Sequence, residues 1–268
     1  MIGENLEKIF SLERKVIVLT GATGGIGSAL AKGLASVGAE MVLCGTSMEK
    51  LSMLQEEIEN FNGKAKGFVL DIGNMDSIKQ CVKDINQEYA KIDVLINCAG
   101  INKREGFLDV EEETYDKIMD VNLKGLFFFS QEIIKIMIEA KSGNIINIAS
   151  HNSFGMLGGC SVYGATKSAL LGITRSMAVE LAQYGIRANA IAPGHILTPL
   201  TTVTWEHPER SKFLKERTAM ERPGNPEELV GITIMLASDA SSYMTGMAYH
   251  VDGGYLAGGK PWSYDTKY

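Results

Sequence analysis

The stretch from Lys15 to Gly27, KVIVLTGATGGIG, decides the fold of this chain. Residues 15–20 form an apolar, β-branched run that predicts a buried strand, and SALAKGLASVGA after the turn predicts an amphipathic helix. A strand, a glycine-rich turn and a helix in this order present backbone N–H groups to a phosphate. Gly21, Gly25 and Gly27 have the spacing T-G-x-x-x-G-x-G, one residue longer than the G-x-G-x-x-G dinucleotide fingerprint. The position directly after the first strand favours phosphate binding over a mere tight connection.

The same alternation of strand and helix continues along the chain. Further strands are predicted over 40–44, 65–70, 93–97, 144–149, 186–191 and 247–251. Helices are predicted over 48–60, 75–89, about 111–140, a segment opened by Tyr163, and 227–238. Strands separated by helical segments indicate βαβ units, and hence an α/β fold with a parallel sheet covered by helices on both faces.

Polar and small residues follow the predicted strands. Ligands of parallel sheets bind outside the carboxyl ends of the strands. The residues found there are Gly21, Thr46, Asp71, Asn97, Ser150 and Pro193. We therefore expect a single binding site along this edge of the sheet.

The segment YGATK at 163–167 places a phenol and an ammonium four positions apart at the start of a predicted helix. Positions i and i+4 lie on one face of a helix, so both groups reach the same small volume. A nearby positive charge favours the phenolate, and Lys167 would thus make Tyr163 a usable proton donor or acceptor near neutral pH. Ser150, at the end of the preceding strand, would bring a third hydroxyl to this point. The alternative is an ordinary helix surface with a solvated lysine.

The end of the second strand usually selects the dinucleotide. An acidic residue there binds the ribose 2′-hydroxyl of NAD, and a basic residue accommodates the 2′-phosphate of NADP. The run Cys44-Gly45-Thr46-Ser47 contains neither. Without a carboxylate to repel the 2′-phosphate, and with two hydroxyls to donate to it, NADP(H) is favoured, while NAD(H) stays possible. Alternatively, Thr46 and Ser47 only cap the next helix.

The totals exclude several classes of protein. The chain has 268 residues, no Pro- or Ser-rich linker and a formal net charge of −6, which favours one domain over 1–268 and argues against a nucleic-acid surface. No apolar run is long enough to span a bilayer, and the polar N-terminus lacks a secretory signal. The four cysteines are far apart, so we expect no metal site or disulfide framework, and a cytoplasmic location. Residues 198–226 lack periodicity and suit a mobile lid, and 255–268 form an aromatic tail.

With these residues in hand, the chain resembles a classical short-chain dehydrogenase/reductase from about Lys15 to Gly254. The resemblance rests on TGATGGIG at 20–27, Asp71, NCAG at 97–100, VNLKG at 121–125, Ser150, YGATK at 163–167, IAPG at 191–194 and HVDGG at 250–254. It implies a single-domain Rossmann fold with a doubly wound, seven-stranded sheet, a nicotinamide cofactor and a homotetramer. It also implies a catalytic tetrad of Asn122, Ser150, Tyr163 and Lys167.

The resemblance assigns roles to these residues. Tyr163 exchanges the proton of the substrate oxygen, Lys167 lowers the pKa of the phenol and binds the nicotinamide ribose, Ser150 stabilises developing charge, and Asn122 anchors a water. Asp71 would accept from the adenine amino group or cap the following turn. The full set expected to bind the cofactor is Gly21, Thr23, Gly24, Gly25, Ile26, Gly27, Thr46, Ser47, Asp71, Ile72, Asn97, Ala99, Gly100, Tyr163, Lys167, Pro193, Gly194, Ile196 and Thr198.

The substrate is a small molecule that the sequence defines less sharply. The segment AGINKRE at 99–105 resembles the AGI-x-R-R stretch of gluconate 5-dehydrogenase-like members, so Arg104 or Lys103 would pair with a sugar-acid carboxylate. His151, Asn152, His195 and Trp205 are the other candidate substrate residues. The alternatives are a 3-oxoacyl thioester reductase, a hydroxysteroid dehydrogenase and, from another class, a catalytically silent cofactor-binding scaffold. The tail is expected to pack at a subunit interface or near a neighbouring active site.

Overall fold

Seven parallel strands form one sheet at the centre of the computed structural model, which describes residues 2–260. The strands are β1 (Val16–Thr20), β2 (Glu40–Gly45), β3 (Lys64–Val69), β4 (Val94–Asn97), β5 (Gly143–Ile148), β6 (Ile186–Pro193) and β7 (Ala248–Val251). Their spatial order is β3-β2-β1-β4-β5-β6-β7. The order reverses between β1 and β4, and such a switch point is where doubly wound sheets bind their ligands.

Helices cover both faces of the sheet. They are α1 (Ile2–Phe10), α2 (Gly25–Ala35), α3 (Met48–Glu59), α4 (Met75–Glu88), α5 (Glu112–Met119), α6 (Leu126–Ala140), α7 (Ser161–Leu181), α8 (Thr202–Glu206), α9 (Pro208–Arg217) and α10 (Val230–Ala237). Successive residues of β1 point to opposite faces. Leu19 packs with Leu30 of α2, whereas Val18 packs with Phe129 of α6. Because both faces are buried, the inner strands are continuous apolar runs, and the predicted fold class is confirmed.

The segment 198–226 differs from the prediction of an irregular stretch, because it contains α8 and α9. Helix α9 begins with Pro208 at its first turn, and the His207 side chain accepts from the Arg210 backbone N–H at 3.5 Å. Only Leu214 of this helix is buried. A helix with one buried residue shows almost no apolar periodicity, which is why the pattern missed it.

The predicted long helix over 111–140 is interrupted by a π-helical turn at Asp120–Gly125. This turn contains Asn122 and separates α5 from α6. The prediction of a last helix over 227–238 is also corrected, since Pro226–Leu229 form a 3-10 turn and α10 begins at Val230.

Helix α1 and the segment after β7 form the two ends of the described chain. Helix α1 was not predicted, although Leu6, Ile9 and Phe10 recur at helical spacing in its sequence. No helix among residues 2–260 has both the length and the apolar character needed to cross a membrane. After β7, residues 255–260 form turns, and Lys260 pairs with Glu221 at 2.9 Å. The predicted packing of the tail falls largely on 261–268, which lie outside the described residues.

Candidate active site

Tyr163 and Lys167 lie one turn apart near the start of α7, as predicted. The Lys167 ammonium is 5.7 Å from the centroid of the Tyr163 ring. Lys167 is only 4% exposed, and its Nζ donates to the Ile148 carbonyl at 2.7 Å. The start of α7 therefore lies against the carboxyl end of β5, which brings the lysine to the edge of the sheet.

Ser150 joins this pair because it follows β5 directly. Its hydroxyl lies close enough to that of Tyr163 to lower the pKa of the phenol, and it accepts from the Asn152 backbone N–H at 3.1 Å. The structure thus brings three members of the predicted tetrad, Ser150, Tyr163 and Lys167, to one place. Their catalytic roles stay predictions.

Burial dominates the electrostatics of the pair. Burial raises the pKa of Tyr163 above its ordinary value, and the Ser150 hydroxyl opposes this only in part. Desolvation of the phenolate thus dominates the pKa of Tyr163, and the lowering of that pKa by Lys167 stays a prediction. Burial also lowers the pKa of Lys167 to about 8. For both Tyr163 and Lys167, burial is the largest cause of the change in pKa.

Asn122 is completely buried in the π-helical turn. Its Oδ1 accepts from the Ile101 N–H at 2.8 Å, its Nδ2 donates to the Ile101 carbonyl at 2.8 Å, and Nδ2 also lies 3.3 Å from the Thr166 hydroxyl. A Cβ added to Gly100 would lie 3.4 Å from Asn122 Oδ1 and 3.6 Å from Lys167 Nζ. The asparagine therefore stands beside the lysine and fixes the loop after β4. π-Turns are frequent at functional sites, which agrees with this position.

The glycine-rich turn between β1 and α2 has no room for side chains. Gly21 has φ +67°, and a Cβ on it would lie 2.8 Å from Ala99 Cα. A Cβ on Gly27 would lie 2.1 Å from the Gly21 carbonyl oxygen. No side chain caps the first turn of α2, so its backbone N–H groups stay free to bind an anion. This bare helix start fits the diphosphate of a dinucleotide.

The first residues of the predicted lid lie against the same turn. A Cβ on Gly25 would be 2.8 Å from Thr198 Cβ, so Thr198 packs on the glycine-rich turn. Ile196 is 5% exposed and its side chain belongs to the core, which leaves only its backbone for a cofactor. The other predicted residues lie in three places: the turn and first residues of α2 (Thr23, Gly24, Ile26), the loop after β4 (Ala99, Gly100) and the end of β6 (Pro193, Gly194).

The residues that would select the cofactor lie at the ends of β2 and β3. Thr46 is exposed, whereas the Ser47 side chain accepts from the Lys50 N–H at 3.3 Å and caps α3. Asp71 is exposed, and its Oδ1 accepts from the Gly73 N–H at 3.0 Å. The alternative interpretation, in which these side chains cap the local backbone, is thus correct for the Ser47 hydroxyl and for Asp71 Oδ1.

Asn97 does not fit its predicted role. It is 0% exposed, and its Nδ2 donates to Ser130 Oγ and Asn147 Oδ1, both at 2.8 Å. A fully buried residue cannot contact a cofactor, so this prediction is wrong. Ile72, at 6% exposed, also packs its side chain in the core. Asn97 instead links β4, β5 and α6 by hydrogen bonds.

Beyond Ser150, the structure groups aromatic rings that the sequence left apart. His195 lies 4.4 Å from His151, 6.2 Å from Trp205 and 5.0 Å from Tyr255, between ring centroids. The Nε2 atoms of both histidines are buried without a hydrogen-bond partner among the described residues. Such an atom costs about 1–3 kcal/mol. Burial lowers the pKa of both imidazoles, that of His195 to about 3, so both rings are neutral.

Tyr255 was missed by the sequence reasoning, since one aromatic residue after a glycine pair carries no pattern. Asn152 is buried, and its Oδ1 accepts from the Leu157 N–H at 3.1 Å, so it holds its own loop. Of the two cations after β4, Lys103 is paired with Glu105 at 2.5 Å. Within residues 6–260, Arg104 has no salt-bridge partner, and its charge contributes to the low pKa of His195. Arg104 is therefore the cation left free to bind an anionic substrate.

Comparisons with known proteins agree with this arrangement. The family model described as Enoyl-(Acyl carrier protein) reductase matches residues 21–256. The 3-oxoacyl-(acyl-carrier-protein) reductase of Thermotoga maritima is 39% identical over 91% of this chain and 99% of its own length. The gluconate 5-dehydrogenase of Gluconobacter oxydans is 37% identical over 92% of this chain and 96% of its own length.

Solved structures extend the likeness to three dimensions. A gluconate 5-dehydrogenase from Burkholderia cenocepacia, crystallised with NADP and tartrate, superimposes with a TM-score of 0.91 at 33% identity. The alignment covers 94% of this chain and 99% of that one. The match over nearly the whole length includes every element that forms the site described above.

Proposed function

The chain belongs to the short-chain dehydrogenase/reductase family, and on that premise we propose that it interconverts the secondary alcohol and the ketone of a sugar acid with NADP(H). One observation carries this proposal: the hydroxyls of Ser150 and Tyr163 and the buried Lys167 meet beside a glycine-rich turn whose helix start is free to bind a diphosphate. A proton-exchanging pair next to a dinucleotide cradle suits hydride transfer between carbon atoms.

Each residue of the site has a distinct task. During reduction, Tyr163 gives its phenolic proton to the carbonyl oxygen, and Ser150 donates to the same oxygen and stabilises its developing charge. Lys167 stays charged below its pKa of about 8 and offsets the charge on the phenolate. Asn122 holds the loop at Ile101 and so keeps Gly100 close to the lysine. The nicotinamide, when bound, supplies or accepts the hydride.

The proposed cofactor is NADP(H). Thr46 is exposed at the end of β2, and no carboxylate stands in the run 44–47 to repel a 2′-phosphate. The backbone around Gly21, Gly25 and Gly27 would hold the diphosphate. The NADP in the Burkholderia cenocepacia structure supports this choice.

The proposed substrate class follows from Arg104. Its unpaired guanidinium suits a carboxylate, and bidentate Arg–carboxylate pairs are strong. The likeness to gluconate 5-dehydrogenases supports a sugar acid. The second candidate is a 3-oxoacyl thioester, which the likeness to the Thermotoga maritima reductase favours.

We also propose that residues 198–226 act as the lid of one catalytic domain and that the protein is a cytoplasmic homotetramer. Thr198 at the glycine-rich turn and Trp205 beside His195 support the lid. Exposed apolar side chains on α6 and α7, Phe127, Phe128 and Val179, support self-association. The four free thiols suit a reducing compartment.

The decisive test measures NADPH and NADH oxidation with 5-keto-D-gluconate and acetoacetyl thioester as substrates. Tyr163→Phe is expected to lower kcat by at least about 100-fold while leaving the affinity for NADPH within about twofold, because only the transferred proton is removed. Tyr243→Phe, which alters a fully exposed tyrosine, is the matched control. Near-normal turnover by Tyr163→Phe would contradict the mechanism, and turnover of the thioester alone would select the second candidate.

A further inference from the structure

Four aromatic rings from separate parts of the chain meet next to Ser150. His151 follows Ser150, His195 follows β6, Trp205 belongs to α8, and Tyr255 follows β7. His195 is the centre of this four-ring cluster, within 6.2 Å of each of the other three rings between centroids. The cluster therefore joins the loop that carries Ser150 to the lid and to the segment after β7.

The two imidazoles in the cluster each keep one ring nitrogen free. His151 Nδ1 lies 3.4 Å from the Pro193 carbonyl oxygen, which only accepts, so Nδ1 carries the proton and Nε2 is an acceptor. His195 Nε2 is also buried and unpaired among the described residues. Polar atoms in this condition are rare in folded proteins and call for a partner.

The surroundings of the imidazoles define what that partner is. Arg104 is the cation that acts on both rings, and Asp252 is the anion. Asp252 is already engaged, since its Oδ1 accepts from the Gly254 N–H at 2.9 Å and its Oδ2 from the Leu256 N–H at 3.0 Å. A neutral imidazole acceptor suits an O–H donor and does not suit a carboxylate. The site beside Ser150 thus combines a free cation with the buried, unpaired nitrogens of two neutral imidazoles.

We propose that His151 and His195 form hydrogen bonds with hydroxyl groups of the substrate and make the enzyme prefer a polyhydroxylated ketone over a plain one. This inference rests on the proposed function and adds the source of its specificity. Arg104 binds the carboxylate, Ser150 and Tyr163 bind the reacting oxygen, and the imidazole pair binds the carbon chain between them through its hydroxyls. A site built to pair with a hydroxyl discriminates strongly against an analogue without it, because its own polar atoms are then left unpaired.

Trp205 and Tyr255 flank the pair. The Tyr255 ring lies 5.0 Å from both imidazoles, and the Trp205 ring lies 6.2 Å from His195, between ring centroids. His195 also borders a cavity of about 380 Å³ lined by Thr218, Met220 and His250, which leaves space beside its ring. A substrate hydroxyl bound in this space would pair with the free nitrogens and remove the cost of leaving them unpaired.

The test compares two ketones that differ only in their hydroxyls. 5-Keto-D-gluconate and 5-oxohexanoate share the carboxylate and the position of the carbonyl, but only the first has hydroxyls between them. His195→Phe keeps an aromatic ring and removes Nε2. It is expected to lower kcat/KM for 5-keto-D-gluconate about tenfold, mainly through KM, and to change that for 5-oxohexanoate less than twofold.

Two further variants complete the design. His195→Gln retains an acceptor oxygen and is expected to recover part of the loss. His250→Phe alters an exposed histidine that lines the same cavity but lies outside the four-ring cluster. It should leave kcat/KM unchanged for both ketones. NADPH binding by each variant checks that it folds.

The outcomes separate the two proposals. If His195→Phe lowers kcat/KM equally for both ketones, His195 has only a packing role. That result would overturn the inference and leave the proposed function intact. No loss on either ketone would overturn it as well. A wild-type enzyme that fails to reduce 5-keto-D-gluconate would overturn the proposed substrate class, and the hydroxyl-binding pair with it.

Discussion

Replacing Lys167 with methionine is expected to stabilise this protein while abolishing its turnover. The ammonium is almost fully buried, and its pKa falls from the ordinary 10.5 to about 8 because burial desolvates the charge. A pKa change of this size corresponds to about 3 kcal/mol of destabilisation of the charged form. Methionine has a similar volume and carries no charge, so this penalty disappears in the variant.

One interaction works against the gain. Lys167 Nζ donates to the Ile148 carbonyl at 2.7 Å, and removal of this bond costs about 1 kcal/mol. The net increase in the free energy of unfolding at pH 7 is therefore about 2 kcal/mol.

The pH dependence identifies the cause. Because the folded-state pKa of Lys167 is depressed, the wild type is penalised below about pH 8 and recovers as the pH rises from 8 towards 10.5, where the unfolded chain still binds the proton. The advantage of Lys167→Met should thus shrink from about 2 kcal/mol at pH 7 to near zero at pH 10.

Urea unfolding at both pH values, at one protein concentration, measures this difference. Lys50→Met, which alters an exposed lysine on α3, is the matched control and should stay within about 0.5 kcal/mol of the wild type at either pH. The reasoning fails if Lys167→Met is less stable than the wild type at pH 7, or if its advantage is the same at pH 7 and pH 10.

Four other substitutions test particular contacts. Gly125→Ala would place a Cβ 1.7 Å from the Ile72 carbonyl oxygen and is expected to cost at least about 3 kcal/mol in urea unfolding, whereas Gly172→Ala, with nothing within 4 Å, should gain about 0.5–1 kcal/mol. Equal unfolding midpoints for these two variants would refute the clash. Thr46→Asp should weaken NADPH binding about tenfold relative to NADH in fluorescence titrations, because the carboxylate repels a 2′-phosphate; equal weakening of both cofactors would count against the assigned site. Asn122→Ala leaves the N–H and the carbonyl of Ile101 unpaired and should lower the free energy of unfolding by about 2–4 kcal/mol. A decrease of less than about 0.5 kcal/mol would contradict this prediction.

The regular part of the fold follows from local pattern. The apolar runs that became β1, β2, β4 and β5 were predicted to within about two residues, since strands buried on both faces carry an unmistakable composition. The segment with α8 and α9 was not, because α9 buries a single residue and so has no apolar face to detect.

The candidate site, like the fold, was predicted from the sequence only where local geometry fixes it. Tyr163 and Lys167 are close because helix geometry fixes positions i and i+4, and Ser150 follows from the end of a strand. The net direction of the Tyr163 pKa could not be read from the charge pair alone, since it also depends on desolvation by the surrounding fold. Asn97 was misassigned for a related reason: its partners Ser130 and Asn147 belong to other elements.

The sequence by itself determined the alternation of strands and helices, the glycine-rich turn and the pairing of Tyr163 with Lys167, because each depends on residues within one or two turns of the chain. Only the tertiary structure decided which polar groups are buried, how far the pKa of Lys167 falls, and that His151, His195, Trp205 and Tyr255 form one cluster. These features depend on desolvation and on contacts between distant segments, and neither leaves a periodic signal in the sequence.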